Sequence, residues 1–426
     1  MSLREKVLNA FTPNQEVSDP EAFAGRREAV LDGVDALHGR GTTPIIYGER
    51  GVGKTSLATQ LSLIAMGHQV LLDYFGMADR GFNEDSGFVV VWADCSKTIK
   101  ETSGILERIE YNSRCYVNPA GITGTDTVTR STSTIDLRIY KSEEMTETRH
   151  SATHRTSPED RLAHLLEEIA KKQRKRVLVV VDELDVIENT AGLGSFIKTR
   201  SSDDIKFLLV GVADNVSNLI DDHESITRQL KHIKLPKMRK GELVDIVTKA
   251  EARIKQAGVD IAFDEAAKSR LAQIAAGMPW FVHTIGKSAL VRAFSNSNAI
   301  VSDADISKSV DDFASNEFAH EFSDLYGKCV KDSLNREVVL RVMAGWGNLD
   351  IPTSQVYRIC QGLGVTNPSV YKNHLTQAAY GDVIYSMKGQ RSVRFRNSLF
   401  KQYVCIRPSM FRGVSQKVRD AYAQRK

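Results

Sequence analysis

One eight-residue run places glycines, a lysine and a threonine at the spacing that phosphate chemistry needs: Gly48-Glu49-Arg50-Gly51-Val52-Gly53-Lys54-Thr55. It fits G-x-x-x-x-G-K-[ST], the phosphate-binding loop. Gly48, Gly51 and Gly53 let the backbone wrap phosphates without Cβ clashes. Lys54 is the cation for β- and γ-phosphate charge, and Thr55 offers a hydroxyl to Mg²⁺. Glu49, Arg50, Val52 and Ser56 complete the stretch expected to line the nucleotide. A second run supplies acids. Val177-Leu178-Val179-Val180-Val181 leads into Asp182-Glu183-Leu184-Asp185. Asp182 would hold the Mg²⁺ shell and Glu183 would polarise an attacking water. ATP and Mg²⁺ are the cofactors this pairing calls for, and ATP hydrolysis is the reaction. A kinase for small molecules has no need of Glu183.

These residues need particular elements to position them. Pro44, Ile45, Ile46 and Tyr47 read as the end of a buried strand, and Leu57, Leu61 and Ile64 recur at helical spacing. The loop therefore sits at a strand-to-helix turn, where the first helical N–H groups have no partner. The apolar run before Asp182 suits a parallel strand buried on both faces. Phe88–Trp92 and Ile205–Val212 read as further strands. Helices are expected after Phe23–Glu28, with Val30, Leu31, Val34 and Leu37 inward, and over Thr102–Glu110, with Ile105 and Ile109 inward. Ser157-Pro158-Glu159-Asp160 is a helix start: a capping side chain, a proline at the first position and acids at the positive end. Alternating strands and helices predict an α/β fold with a doubly wound parallel sheet. From Arg239 the pattern turns helical, with a stripe of Leu243, Ile246, Val247, Ala250 and Ile254 and further helices over Asp264–Ala276, Pro279–Phe294 and Asp303–Phe322. Residues 113–156 form a Ser/Thr/Gly-rich insertion, read as a surface excursion with a β-hairpin within Thr127–Tyr140.

Composition is that of a soluble globular protein, with 42% hydrophobic and 26% charged residues in 426, enough for two or three domains. No stretch has the length and apolarity of a membrane span, and the first residues lack the apolar core of a signal peptide. Five scattered cysteines suggest reduced thiols and a cytoplasmic protein. His150 and His154 stand at i,i+4 without other ligands, so no metal site is expected there. Charge is uneven. Residues 335–426 carry 15 Lys/Arg and 4 Asp/Glu, a net of +11, so the rest of this +4 chain carries −7. Such a footprint suits nucleic acid, an acidic partner, or plain solvation.

On these residues the chain resembles the AAA+ superfamily, particularly the origin-recognition initiator clade and the related STAND signalling ATPases. Phe23-Ala24-Gly25-Arg26 resembles the F-x-G-R box that helps hold adenine, which implies nucleotide contacts for Phe23, Ala24 and Arg26. Gly48–Thr55 resembles Walker A, and Val177–Glu183 resembles Walker B. Gly211-Val212-Ala213-Asp214 resembles the sensor 1 segment, where the family usually has Asn; Asp214 stands there, followed by Asn215. Ser225-Ile226-Thr227-Arg228 with Ile233–Pro236 resembles the box of an arginine finger. That implies Arg228 reaches a neighbouring subunit's γ-phosphate in a homo-oligomer. Gly277-Met278-Pro279 resembles the G-x-P element of STAND lids, with Pro279 near nucleotide. Initiators commonly carry Arg just after it; Trp280 and Phe281 stand there and imply a slow switch.

The C-terminal part resembles a winged helix. Its helices would be Glu337–Ala344, Pro352–Cys360 and the recognition-like Asn367–Tyr380, and Val383–Met387 and Ser392–Phe395 would flank a basic wing, Lys388–Arg391. Lys372 and Asn373 would meet base edges, and Lys388, Arg391 and Arg394 would meet phosphates. The resemblance implies an ATPase core at 1–237, a helical lid at 238–332, a winged-helix domain at 333–410 and a basic tail at 411–426, with nucleotide between sheet and lid. The implied function is an ATP-hydrolysing switch that assembles with nucleotide. It would act on double-stranded DNA or with a separate effector protein, including in bacterial antiviral defence, and not on a membrane. The alternative is a DNA-loading or target-selecting ATPase in replication or transposition; a metabolic kinase comes third.

Overall fold

A computed structural model describes residues 2–117, 129–132, 135–138, 157–213, 215–315, 320–348, 350–387 and 391–424. The chain forms two compact units, Asn14–Met238 and Met1–Pro13 with Arg239–Lys426, so the first helix, α1 (Leu3–Leu8), belongs to the second unit.

The unit Asn14–Met238 is built on parallel strands β1 (Thr43–Gly48), β2 (Phe88–Asp94), β5 (Arg176–Asp182), β6 (Ile205–Val212) and β7 (Leu230–Lys234), in the order β2-β5-β6-β1-β7. Strands β3 (Thr129–Thr132) and β4 (Ile135–Arg138) pair antiparallel in the region where the sequence predicts a hairpin. Helices α2 (Arg27–His38), α3 (Lys54–Ala65) and α4 (Val70–Tyr74) precede β2, and α5 (Thr102–Ser113), α6 (Pro158–Gln173), α7 (Leu193–Arg200) and α8 (His223–Ile226) follow it.

The sheet has a core on each side, and β5 shows why its sequence is apolar throughout. Successive strand side chains point to opposite faces. Val177, Val179 and Val181 join Ile105, Ile109, Leu162 and Leu166 in one core. Leu178 and Val180 join Val30, Val34, Leu57 and Leu61 in the other. A strand covered on both faces tolerates no polar alternation. Helix α6 starts as predicted: Ser157 Oγ accepts the Asp160 N–H at 3.1 Å, and Pro158 takes the first turn. Strand register brings the carboxyl ends level. Asp94 pairs with Asp182 across β2 and β5, and Gly48 pairs with Val212 across β1 and β6.

The second unit is largely helical. It holds α9 (Lys240–Gln256), α10 (Glu265–Ala275), α11 (Pro279–Ser295), α12 (Asp303–Ser315) and α13 (His320–Val330), with β8 (Ala262–Phe263) pairing with β9 (Ile300–Val301). The single helix expected over Asp303–Phe322 is thus two helices, with 316–319 outside the described residues. The segment after α1 docks here. Phe11 lies edge-on to Phe263 and His283, each 6.0 Å away, and Thr12 N–H donates to His283 Nδ1 at 3.2 Å.

The C-terminal elements are α14 (Leu334–Ala344), β10 (Ile351–Pro352), α15 (Thr353–Gly362), α16 (Pro368–His374), β11 (Ile384–Ser386), β12 (Ser392–Phe395), α17 (Ser398–Ile406) and α18 (Val414–Ala423). The strands form an antiparallel sheet, β10-β12-β11. Helix α16 stops at His374, short of the expected Tyr380. The Leu375 carbonyl accepts from Val383 and Ile384, which turns the chain toward β11. The stretch expected as a basic tail contains α18, anchored by the Tyr422 hydroxyl donating to the Val342 carbonyl. Glu337 is wholly buried. It accepts from the Tyr326 hydroxyl, from Arg341 Nε at 3.1 Å, and from the N–H groups of Met410 at 2.7 Å and Phe411 at 3.0 Å. His150 and His154 lie outside the described residues.

Candidate nucleotide-binding and hydrolysis site

The loop between β1 and α3 has the geometry its sequence requires. Gly53, capping α3, has φ 93°. Gly48 has φ 154°, and a Cβ there would meet the Leu235 carbonyl oxygen at 2.5 Å. Neither position accepts a side chain without strain. The loop thus presents the N-terminus of a twelve-residue helix, a site suited to anions.

Lys54 and Asp182 meet at this turn. Lys54 is buried, and its Nζ donates to the Glu49 carbonyl at 2.9 Å. Burial pulls its ammonium down to about 8, against the carboxylates of Asp185 and Asp182 that favour its charge. Asp182 is pushed up to about 6 by burial, against hydrogen bonds from the Thr55 hydroxyl and the Glu183 N–H. The second of these is 2.7 Å long. Thr55 and Asp182 therefore stand side by side although they come from different elements. A hydroxyl and a carboxylate fit Mg²⁺, which takes one or two protein oxygens and completes its shell with waters and phosphates. Among the described residues no group of three or more His, Cys, Asp or Glu could hold a metal ion; a Mg²⁺ site of this kind requires none. Glu183 is exposed with φ 58°, a left-handed conformation that non-glycine residues seldom adopt. It directly follows Asp182 at the end of β5.

The remaining expected contacts have mixed surroundings. Arg26, itself at φ 59°, donates from its guanidinium to the Val52 carbonyl at 2.9 Å, so it braces the phosphate loop from behind. Ala24 is buried, and Phe23 packs into the core with Val30 and Leu57. Glu49 lies 3.8 Å from Lys237, Arg50 is exposed and Val52 is buried. Ser56 Oγ accepts the Val17 N–H at 3.0 Å, and Gln60 Nε2 donates to the carbonyls of Val17 (2.9 Å) and Ser18 (3.2 Å). The leader is thereby pinned along α3. Sequence reading missed Gln60, a fully buried polar side chain on α3, and Asp185, the third acid of the strand-end cluster.

Asp214 lies outside the described residues. Arg228 is exposed between α8 and β7. Its segment is fixed by Asp222, whose carboxylate accepts from Gly194 N–H at 2.9 Å and Ser195 N–H at 2.8 Å, and by Asp221, which accepts from Thr190 N–H at 2.7 Å. Pro279 opens α11 in the other unit. There Trp280 and Phe281 pack edge-on to Phe313, with centroids at 6.0 and 5.9 Å.

Much of the positive charge near the C-terminus is engaged within its own unit. Arg394, expected on phosphate, makes a two-pronged pair with Asp350 at 2.6 and 3.1 Å. That pairing holds the Asp350 carboxyl below its ordinary range. Arg396 pairs with Asp382 at 3.1 Å, Arg341 with Glu337, and Lys401 donates to the carbonyls of Trp346 and Asn348. Lys372 is half-buried, which pulls its ammonium down, and Asn373 is exposed on the last turn of α16. Arg391 is exposed, and Lys388 lies outside the described residues. No described helix is long and apolar enough to cross a membrane.

No protein-family model matches the chain, and no curated protein matches it. Among solved structures, it is similar to the ORC2 protein of Aeropyrum pernix in its ADPNP–ADP complexes, at 16% identity, covering 98% of each chain with a TM-score of 0.49. It is similar to Cdc6p of Pyrobaculum aerophilum at 15% identity, covering 97% of this chain and 98% of that one, with a TM-score of 0.44. It is also similar to the RuvB Holliday junction branch migration motor of Thermotoga maritima at 13% identity, covering 89% and 94%, with a TM-score of 0.41. The fold itself is established by the sheet order and the loop geometry. The chain carries the P-loop α/β fold of nucleoside triphosphatases, and ORC, Cdc6 and RuvB proteins are among the solved structures it is similar to.

Proposed function

We propose that the protein is an AAA+-type ATPase switch that binds ATP with Mg²⁺ at Gly48–Thr55 and hydrolyses it. One observation carries this reading: Thr55, Asp182 and buried Lys54 converge at the carboxyl end of a parallel sheet. Lys54 neutralises phosphate charge, Thr55 and Asp182 hold Mg²⁺, and Glu183 orients the water. γ-Phosphate and Mg²⁺ contacts bias two arrangements of the protein, ATP favouring an assembled form and hydrolysis resetting it. Arg228 acts on the γ-phosphate of a neighbouring copy. The aromatic packing of Trp280 and Phe281, where an arginine would follow the Pro279 turn, supports slow turnover. The test is equilibrium binding of a fluorescent ATP analogue with and without Mg²⁺. Micromolar binding that weakens about tenfold or more in Lys54→Ala supports the reading; equal binding by both proteins rejects it.

For the output we propose duplex DNA. The support is the chain order α14, β10, α15, α16, β11 and β12, an order a winged helix would have, with exposed Arg391 directly before β12. An effector partner, in antiviral defence or elsewhere, becomes the better reading if the protein binds no duplex at low salt with or without ATP.

A further inference from the structure

Strand β6 outlasts its neighbour. The β5–β6 ladder ends at Val181 and Leu209, and β5 then turns away through Asp182, left-handed Glu183 and a short 3₁₀ turn, Leu184–Val186. β6 runs on to Val212, which stands level with Gly48, the first residue of the phosphate loop. A strand N–H without a neighbour must find another acceptor or stay solvated. Val212 N–H finds Asp185, whose Oδ1 accepts it at 2.7 Å. The fit is close. A Cβ on Gly211 would meet the Leu219 side chain at 2.6 Å and the Asp185 N at 3.4 Å. The same carboxylate is the strongest of the neighbouring charges that favour the ammonium form of Lys54, ahead of Asp182.

We propose that Asp185 is a positioning residue for the phosphate site: its carboxylate stands in for the missing neighbour strand and holds the tip of β6 level with Gly48. The role rests on the ATPase reading for its catalytic consequence, though the strand-tip contact is independent of it. A carboxylate accepting a backbone N–H makes a charge-assisted bond, stronger than a neutral one. Loss of that bond frees the chain beside the γ-phosphate position, and small misplacements there slow chemistry more than they weaken binding.

Three proteins decide the matter: the parent, Asp185→Ala and Asp185→Asn. Asn keeps an amide oxygen that can accept from Val212, whereas Ala keeps none. Two quantities are read: amide hydrogen exchange at Val212, and ATP turnover with kcat and KM separated. Asp185→Ala is expected to speed Val212 exchange about tenfold or more and to lower kcat by about tenfold, with KM within about twofold of the parent. Asp185→Asn is expected to restore Val212 protection and most of kcat. The proposal is overturned if Asp185→Ala exchanges Val212 at the parental rate or keeps the parental kcat. It is also overturned if Asp185→Asn falls as far as Asp185→Ala in both readouts. A parent that binds no nucleotide and shows no turnover rejects the ATPase reading instead, and Val212 exchange then decides the role of Asp185 at the strand tip.

Discussion

Lys54 rests on the Glu49 carbonyl, a neutral acceptor. A phosphate oxygen is a charged one and makes the stronger bond, so the lysine is poised to exchange partners. Lys54→Ala removes the cation and leaves the loop backbone intact. ATP affinity is expected to fall by about tenfold to a hundredfold, since one charged hydrogen bond is worth about 1.5–3 kcal/mol; a binding titration checks this. The individual site residues differ in how far their sequence reveals them. Gly48, Gly53, Lys54, Thr55 and Asp182 are legible because the proposed phosphate and Mg²⁺ contacts would dictate type and spacing together. Asp185 and Gln60 are not, because their partners, Val212 and Val17, are chosen by strand register and leader path. Arg394 shows the reverse: its charge is visible in the sequence, but its partner Asp350 lies 44 residues away. Arg394→Gln is therefore expected to lower the melting temperature and to leave the salt slope of any DNA binding unchanged. Neutralising Lys388 and Arg391 is expected to reduce that slope by up to about 0.9 per lost phosphate contact. Fluorescence anisotropy across a salt series separates the two outcomes.

Helices and strands with strong periodicity are read correctly from sequence, because burial enforces the period. The stripe of Val30, Val34 and Leu37 is fully buried, as is the Val177–Val181 run. Errors fall where tertiary contacts overrule local pattern. α16 ends early because the Leu375 carbonyl accepts from the Val383 and Ile384 N–H groups, and the tail becomes α18 because Tyr422 anchors on Val342. The docking of the N-terminal segment on α11 is likewise invisible in sequence. It depends on a neutral His283, whose Nδ1 must accept from Thr12. Burial, with the nearby Arg253 charge, pulls this imidazole from 6.5 down to about 4. A folded-state value below the unfolded one means the unfolded chain binds more protons at intermediate pH. The stability is therefore fully present above about 6.5 and is lost as pH falls toward 4. At about 1.4 kcal/mol per unit the loss approaches 3 kcal/mol. His283→Gln is expected to flatten stability between pH 6.5 and 4, measured by denaturant unfolding at each pH. Glu337, the buried acceptor of four donors, is a second fixed point. Glu337→Ala leaves Arg341 buried without its carboxylate and is expected to cost about 3–5 kcal/mol.

At the scale of the whole molecule, the proposed switch couples nucleotide chemistry to assembly. Arg228 is exposed on a segment fixed by Asp221 and Asp222, which suits a group that acts outside its own subunit. Arg228→Ala is expected to lower turnover more than ATP affinity. Mixing it with Lys54→Ala should restore part of the activity, because a mixed interface pairs an intact loop with an intact arginine; absence of rescue in demonstrably mixed oligomers argues against action between subunits. All of this depends on the chain hydrolysing ATP at the turn shared by Lys54, Thr55, Asp182 and Glu183. The most direct measurement is phosphate release from ATP with Mg²⁺ by the parent and by Glu183→Gln, with ATP binding followed in parallel. Slow but measurable release by the parent, reduced about a hundredfold or more in Glu183→Gln with binding retained, is the expected result. Release by Glu183→Gln at the parental rate, from a protein that still binds ATP, would contradict it.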